Sequence, residues 1–87
     1  MKSYDEIFEA IKKILVDDFE CEAEAVMPEA TLFEALDLDS IDAVDLIVRL
    51  QKMTGLKVRA EDFRQIRTLD DVVKVIQRLI AEQAPQA

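Results

Sequence analysis

The chain has 87 residues, 51% of them hydrophobic, which is enough for one modest core in a single domain. One Gly and two Pro leave few tight turns and argue against a sandwich or barrel, and the absence of His excludes a Ser-His-Asp triad, a Cys-His pair and histidine metal sites. The formal charge of −8 is unevenly placed: residues 1–45 hold 14 Asp/Glu against 3 Lys/Arg, a net of −11, and residues 46–87 hold 5 against 8, a net of +3, so the front half repels phosphate and nucleic acid is not an expected partner.

In chain order, the first helix should start at Ser3, which with Glu6 three residues on makes a capping-box pattern. Ile7, Ile11, Ile14 and Leu15 recur at helical spacing, and the helix should fade near Asp17 or Asp18. Residues 18–38 show no sustained periodicity and contain Pro28. Thr31 with Glu34 can cap one turn carrying Leu32, Phe33 and Leu36. A connection this long is unusual in a compact domain, and its apolar residues predict that it lies across the core. The second helix is expected from Ser40 to Thr54, with Asp39 as N-cap and Gly55 as stop. A short third helix near Ala60–Gln65 should bring Phe63 and Ile66 inward. The last helix should follow Thr68, with Asp71 completing its cap and Val72, Val73, Ile76, Leu79 and Ile80 forming an apolar face. Residues 82–87 read as a disordered tail after a domain spanning 1–81. The expected fold is all-α, a small bundle of three main helices and one short one with a long first loop.

The second helix carries two apolar faces. At about 100° per residue, Ala43, Leu46, Ile47, Leu50 and Met53 share one broad arc that can face a core. Ile41, Val44 and Val48 fall on another side, with Asp42 and Asp45 beside them. Two explanations stand: the long loop covers the second face, or that face is a docking surface with charged edges. The acidity of the front half likewise reads either as a solubility device or as a field that steers basic partners in. Ser40 stands where unpaired backbone N–H groups and the helix dipole favour an anion. A serine there is normally a cap, but Asp39 is an equally good one, which leaves the Ser40 hydroxyl unassigned.

Other chemistry is sparse. Asp37-Leu38-Asp39-Ser40-Ile41-Asp42 begins like a calcium loop but has Asp42 at the sixth position and Val48 at the twelfth, where such loops need Gly and Glu. No Gly-rich phosphate loop is present. Cys21 is alone and lies among acidic residues that disfavour its thiolate, so it reads as a packing residue. Met1-Lys2-Ser3-Tyr4-Asp5-Glu6 has no signal-peptide core, and no apolar run approaches membrane-spanning length. A cytoplasmic, unprocessed monomer without membrane insertion is expected, with no catalytic residues and no metal site.

The segment from Leu36 to Leu46, with Asp39-Ser40-Ile41 at its centre, resembles the attachment site of acyl carrier proteins, in which Asp-Ser-Leu or Asp-Ser-Ile opens the second helix. The match extends through Leu50. Phe33 lies where the family has a loop aromatic, and Thr68-Leu69-Asp70-Asp71-Val72 resembles the start of its last helix. The resemblance implies that Ser40 carries 4'-phosphopantetheine, transferred from coenzyme A by a phosphopantetheinyl transferase with magnesium, and that Asp39 helps that transferase engage. It implies that the arm's thiol, not Cys21, holds the acyl group. Ile41, Asp42, Val44, Asp45 and Val48 match the family's partner-contacting positions. The partners would be a ketosynthase, an acyltransferase or ligase, and related fatty-acid or polyketide-type enzymes with basic docking surfaces. An apolar acyl chain is expected to slip against Leu46, Ile47, Phe63 and Val72. Three departures stand out: Asp37 replaces the usual Gly three residues before the serine, the loop from Phe33 to Ser40 is one residue shorter than the commonest form, and Leu38 is apolar where small residues are common. They point away from primary fatty-acid synthesis, and the string through Leu46 looks more like discrete carriers of specialised bacterial pathways, such as those making aryl polyenes. Two rival readings are a peptidyl or aminoacyl carrier and an unmodified acidic helical adaptor. The adaptor would need no serine at position 40.

Overall fold

The computed structural model describes residues 3–83, excepting the side chains of Ala60 and Phe63. Four helices follow one another: α1 (Tyr4–Asp18), α2 (Ser40–Thr54), α3 (Ala60–Phe63) and α4 (Leu69–Gln83), with one 3-10 turn at Ala23–Ala25. The expected all-α bundle is therefore found, and among the described residues the only strand-like feature is an isolated antiparallel bridge between Thr31 and Thr68.

Local signals account for the helix starts. The Ser3 hydroxyl oxygen accepts the Glu6 N–H at 3.2 Å, and the Ser3 N–H donates to the Glu6 carboxylate. Thr68 Oγ1 accepts the Asp71 N–H at 3.2 Å, while Asp71 accepts the N–H groups of Arg67 and Thr68. Those two backbone donors hold the Asp71 carboxyl below its ordinary pKa, because they favour its charged form. α2 ends at Gly55, the one glycine, whose φ of 74° is the left-handed conformation that only a residue without Cβ adopts at no cost. α1 ends without a glycine: Glu20 takes a φ of 57° and the Cys21 N–H turns back to the Leu15 carbonyl.

α1 packs against both α4 and α2. Ile7, Ile11 and Leu15 of α1 are fully buried, as are Val73 and Ile76 of α4 to within a per cent. Ile14 and Ile80, expected inside, are partly buried against this core. Each fully buried aliphatic side chain contributes about 1.5–3 kcal/mol relative to exposure.

The long connection lies across the core, as its apolar content implies. Leu32, Leu36 and Leu38 are buried. Backbone hydrogen bonds fasten the segment to the link between α3 and α4: Leu32 N–H to the Arg67 carbonyl (2.9 Å), Leu69 N–H to Ala30 and Asp70 N–H to Pro28. The expected turn at Thr31 forms, but Thr31 Oγ1 accepts from the Ala35 N–H, one residue beyond the anticipated cap partner.

Two boundaries differ from expectation. α3 stops at Phe63, two residues early. Asp62, buried and ion-paired with Arg78 of α4, accepts the Arg59 N–H and so fixes this short helix to the bundle. α4 continues through Gln83, whose side-chain amide closes a pair of 2.8 Å hydrogen bonds with the Lys57 backbone. Glu82 and Gln83, placed in the expected tail, are thus helical; residues 84–87 lie outside the described residues.

Tyr4 joins the start of α1 to the start of α4 by donating to Asp70 Oδ1 at 2.6 Å. The hydrogen bond to Asp70, partial burial and the Asp70 charge push the phenol up to about 12. The Tyr4 hydrogen bond and the Lys74 ammonium hold Asp70 below its ordinary value. A folded phenol that keeps its proton while the unfolded one loses it near pH 10 gives stability that is complete below pH 10 and lost as pH rises to about 12. Tyr4 is the only tyrosine, so its ultraviolet titration is unambiguous. Asp70→Asn should lower that midpoint toward 10; an unmoved midpoint would show that burial, not Asp70, sets it.

Candidate functional site

The start of α2 is built around a reciprocal cap. Asp39 Oδ1 accepts the Asp42 N–H at 2.8 Å, and Asp42 Oδ2 accepts the Asp39 N–H at 3.2 Å. Asp39 is therefore the cap, and Ser40, the first helical residue, is exposed with its hydroxyl not spent on helix initiation. The helix dipole and the N–H groups of the first turn favour an anion at that hydroxyl, as a phosphodiester would be.

The second apolar face is not covered by the loop. Ile41 is 77% exposed and Val44 60%, and Val48 is also exposed. These three line an open depression together with Ser40 and Asp45. Its acidic edge is partly committed within the protein: Asp42 completes the cap, and Asp45 lies 3.4 Å from Arg49 Nε. Arg49 also reaches Asp18 at 2.9 Å and stacks over the Phe19 ring, tying α2 to the end of α1.

The inner face of α2 behaves differently. Leu46 and Leu50 are buried and Ala43 and Ile47 partly so, whereas Met53, expected in the same arc, is 38% exposed. Beside Ser40 this face opens into a cavity of about 210 Å³ whose lining includes Leu46, Ile47 and Val72. Three of the four anticipated pocket residues are thus brought together; the fourth, Phe63, has a side chain outside the described residues. Phe33, Val44 and Ile66 are also among its walls. Phe33 was legible as a loop aromatic, but nothing in its local sequence marks it as a cavity wall.

Asp37 adopts a φ of 55°. The backbone three residues before Ser40 is therefore left-handed, which explains why Gly is usual there in the resembling family and why Asp, which tolerates this region, can replace it. Asp37→Val should destabilise the fold by about 1–2 kcal/mol, since a β-branched residue resists that conformation. Asp37→Gly should be neutral or stabilising by up to about 1 kcal/mol, the relief being offset by a looser unfolded chain. Urea titrations read both; equal stability of the Val and Gly variants would mean that position 37 is not held left-handed.

Cys21 is partly buried against the core, and burial followed by the nearby Asp42 carboxylate raises its thiol above the ordinary value. It stays a packing residue. Among the described residues no group of His, Cys, Asp and Glu could hold a metal ion, and no helix is long and apolar enough to cross a membrane.

Residues 9–76 match the profile of the phosphopantetheine attachment site family. Acyl carrier protein 2 of Ralstonia nicotianae is 50% identical over 76 residues, covering 87% of this chain and 94% of its own. The acyl carrier protein of Thermosynechococcus vestitus is 36% identical over the same shares. The crystal structure of an acyl carrier protein from Thermotoga maritima superposes with a TM-score of 0.80 over 91% of this chain and 92% of its own, at 24% identity, so it shows the fold.

Proposed function

Because the chain belongs to the acyl carrier protein family, a family of non-catalytic carriers with a covalently attached phosphopantetheine group, we propose that Ser40 is its attachment site and that it presents acyl intermediates to fatty-acid or polyketide-type enzymes. One observation carries the assignment: Ser40 opens α2 exposed, and the capping that would otherwise occupy its hydroxyl is performed by Asp39 and Asp42. When attached, the group supplies a thiol on which the acyl chain is held as a thioester. The protein's own residues do the rest. The α2 N-terminus favours the phosphodiester, Asp39 fixes the turn that a phosphopantetheinyl transferase would engage, and the cavity beside Ser40 offers the acyl chain an apolar site against Leu46, Ile47 and Val72. Ile41, Val44 and Val48, edged by Asp42 and Asp45, form the docking surface for ketosynthases, acyltransferases or ligases bearing basic patches. We place the protein in the cytoplasm as a monomer, among discrete carriers of specialised pathways such as those making aryl polyenes. Asp37 in place of Gly and the shortened loop support that placement.

The test is the intact mass of the apo protein after incubation with coenzyme A, magnesium and a broad-specificity transferase. A gain of one phosphopantetheine, mapped by peptide mass to the segment containing Ser40, is expected. An unchanged mass would favour the unmodified adaptor.

A further inference from the structure

The side-chain charges of α2 cancel. Asp42 and Asp45 stand in its first half, Arg49 and Lys52 in its second, so the helix that bears the apolar stripe contributes no net charge. Asp42 is bound into the cap with Asp39. Asp45 is the remaining acid; it is half exposed and lines the same depression as Ser40, Ile41, Val44 and Val48. What Asp45 offers an arriving enzyme is therefore set by the cation beside it, Arg49.

Arg49 is shared between two carboxylates, and not equally. Its Nη1 donates to Asp18 at 2.9 Å, and its guanidinium carbon lies over Phe19, 5.5 Å from the ring centre. A charge-assisted hydrogen bond and a cation–π contact thus fasten it to the end of α1. Toward Asp45 it presents Nε, which is 3.4 Å away, buried and donating no hydrogen bond. That approach is a charge contact only. The end of α1 holds Arg49 where it neutralises Asp45 without binding it tightly.

We infer, resting on the carrier reading above, that Arg49 is a built-in competitor for the cation of a docking enzyme: it screens Asp45 in the free protein and withdraws onto Asp18 and Phe19 when the enzyme's Lys or Arg takes Asp45. Asp18 is not among the residues that line the outer depression, yet it sets the strength of docking by holding Arg49 back from Asp45. An exposed ion pair of this kind shifts an equilibrium by up to about fivefold, so Arg49 tunes the encounter and does not block it.

A phosphopantetheinyl transferase is the probe, because it must reach Ser40, which shares its depression with Asp45. The kcat and KM for loading the apo protein from coenzyme A are measured at low and raised salt, with a thermal melt of each sample. Arg49→Gln should lower KM by about threefold at low salt, leave kcat unchanged, and lose its advantage as salt is added. Arg49→Lys keeps a positive charge beside Asp45 and should keep the parent's KM. Lys74→Gln is the matched control. It removes the same charge from another i,i+4 pair, with Asp70 at 2.9 Å, which Tyr4 places at the opposite end of α1 from Asp18, about 20 Å away. Its KM should stay close to that of the parent. Asp18→Asn leaves Arg49 to Asp45 alone and should raise KM by about twofold over Asp17→Asn, an equal change of charge at the exposed neighbouring residue. If Arg49 only ties α1 to α2, Arg49→Gln lowers Tm and its KM falls no further than that of Lys74→Gln. That result, equal KM values in Asp18→Asn and Asp17→Asn, or a parent KM indifferent to salt would overturn the inference while leaving Ser40 loading intact. Failure to load any of the proteins would overturn the carrier reading instead.

Discussion

Ser40→Ala should take up no phosphopantetheine while keeping the stability of the parent. The first half follows from the proposed attachment, since the variant lacks the oxygen that would form the ester. The second half follows from the cap. Both donor–acceptor pairs that start α2 run between Asp39 and Asp42, so removing the Ser40 hydroxyl leaves every bond of the capping box in place. Alanine also has the higher helix propensity, so a change of less than about 0.5 kcal/mol, in the stabilising direction, is expected. Asp39→Ala is the informative contrast. It should keep the serine but cost about 1 kcal/mol, the usual loss for a missing N-cap, and should slow loading by loosening the turn that presents Ser40. Intact mass after transferase treatment and thermal melting measure both quantities on the same samples. Uptake that persists in Ser40→Ala would put the attachment site elsewhere, and a large loss of stability would mean that the hydroxyl does structural work the cap geometry does not reveal.

The parts of this fold that were legible in the sequence are those whose causes are local. Ser3 with Glu6, Asp39 with Gly55 and Thr68 with Asp71 each combine a cap with an apolar run within a few residues, and the helices begin and end there. The two faces of α2 followed from angular spacing alone, and burial then showed that the long loop does not cover the outer one. What was not legible depends on partners distant in sequence. Asp62 reads as one more acidic surface residue until Arg78, sixteen positions on, folds against it. Arg49 reads as a helix-surface cation until α1 brings Asp18 and Phe19 beneath it. The Thr31–Thr68 bridge joins two segments with no strand pattern. Asp37 was visible as a departure from a family pattern, but its left-handed φ, the reason for that pattern, belongs to the folded loop. Of the candidate site, the place of Ser40 at the start of α2 and the apolar stripe of Ile41, Val44 and Val48 could be read directly. The cavity's outer wall could not, because Phe33 reaches it only through a turn held by the α3–α4 link.

Val44→Asp and Leu46→Ala, two positions apart on α2, should separate function from folding. Leu46 is 2% exposed; truncating it removes buried carbons and leaves a hole next to the existing cavity, at a cost of about 2–5 kcal/mol. Val44 is 60% exposed, and a surface replacement there should change stability by about 0.5 kcal/mol or less. If the stripe is the docking surface, a carboxylate at its centre must be desolvated against the partner's apolar contact. Loss of acyl transfer by about tenfold or more is then expected, the size of a central interface residue. Val44 also borders the cavity, so a change in cargo shelter could mimic a docking defect. Ile41 removes that ambiguity: it lines the outer depression and is 77% exposed. Ile41→Asp should therefore reproduce the transfer defect while leaving the melting temperature of the acylated protein unchanged. Association rates should fall with added salt more steeply than dissociation rates rise, because the net charge of −11 over residues 1–45 acts chiefly on encounter. Circular dichroism, melting and transfer kinetics with one partner enzyme give the full comparison. A collapse of several kcal/mol in Val44→Asp would place Val44 in the core. Unaltered transfer by a well-folded Ile41→Asp would move the docking surface off the outer face of α2.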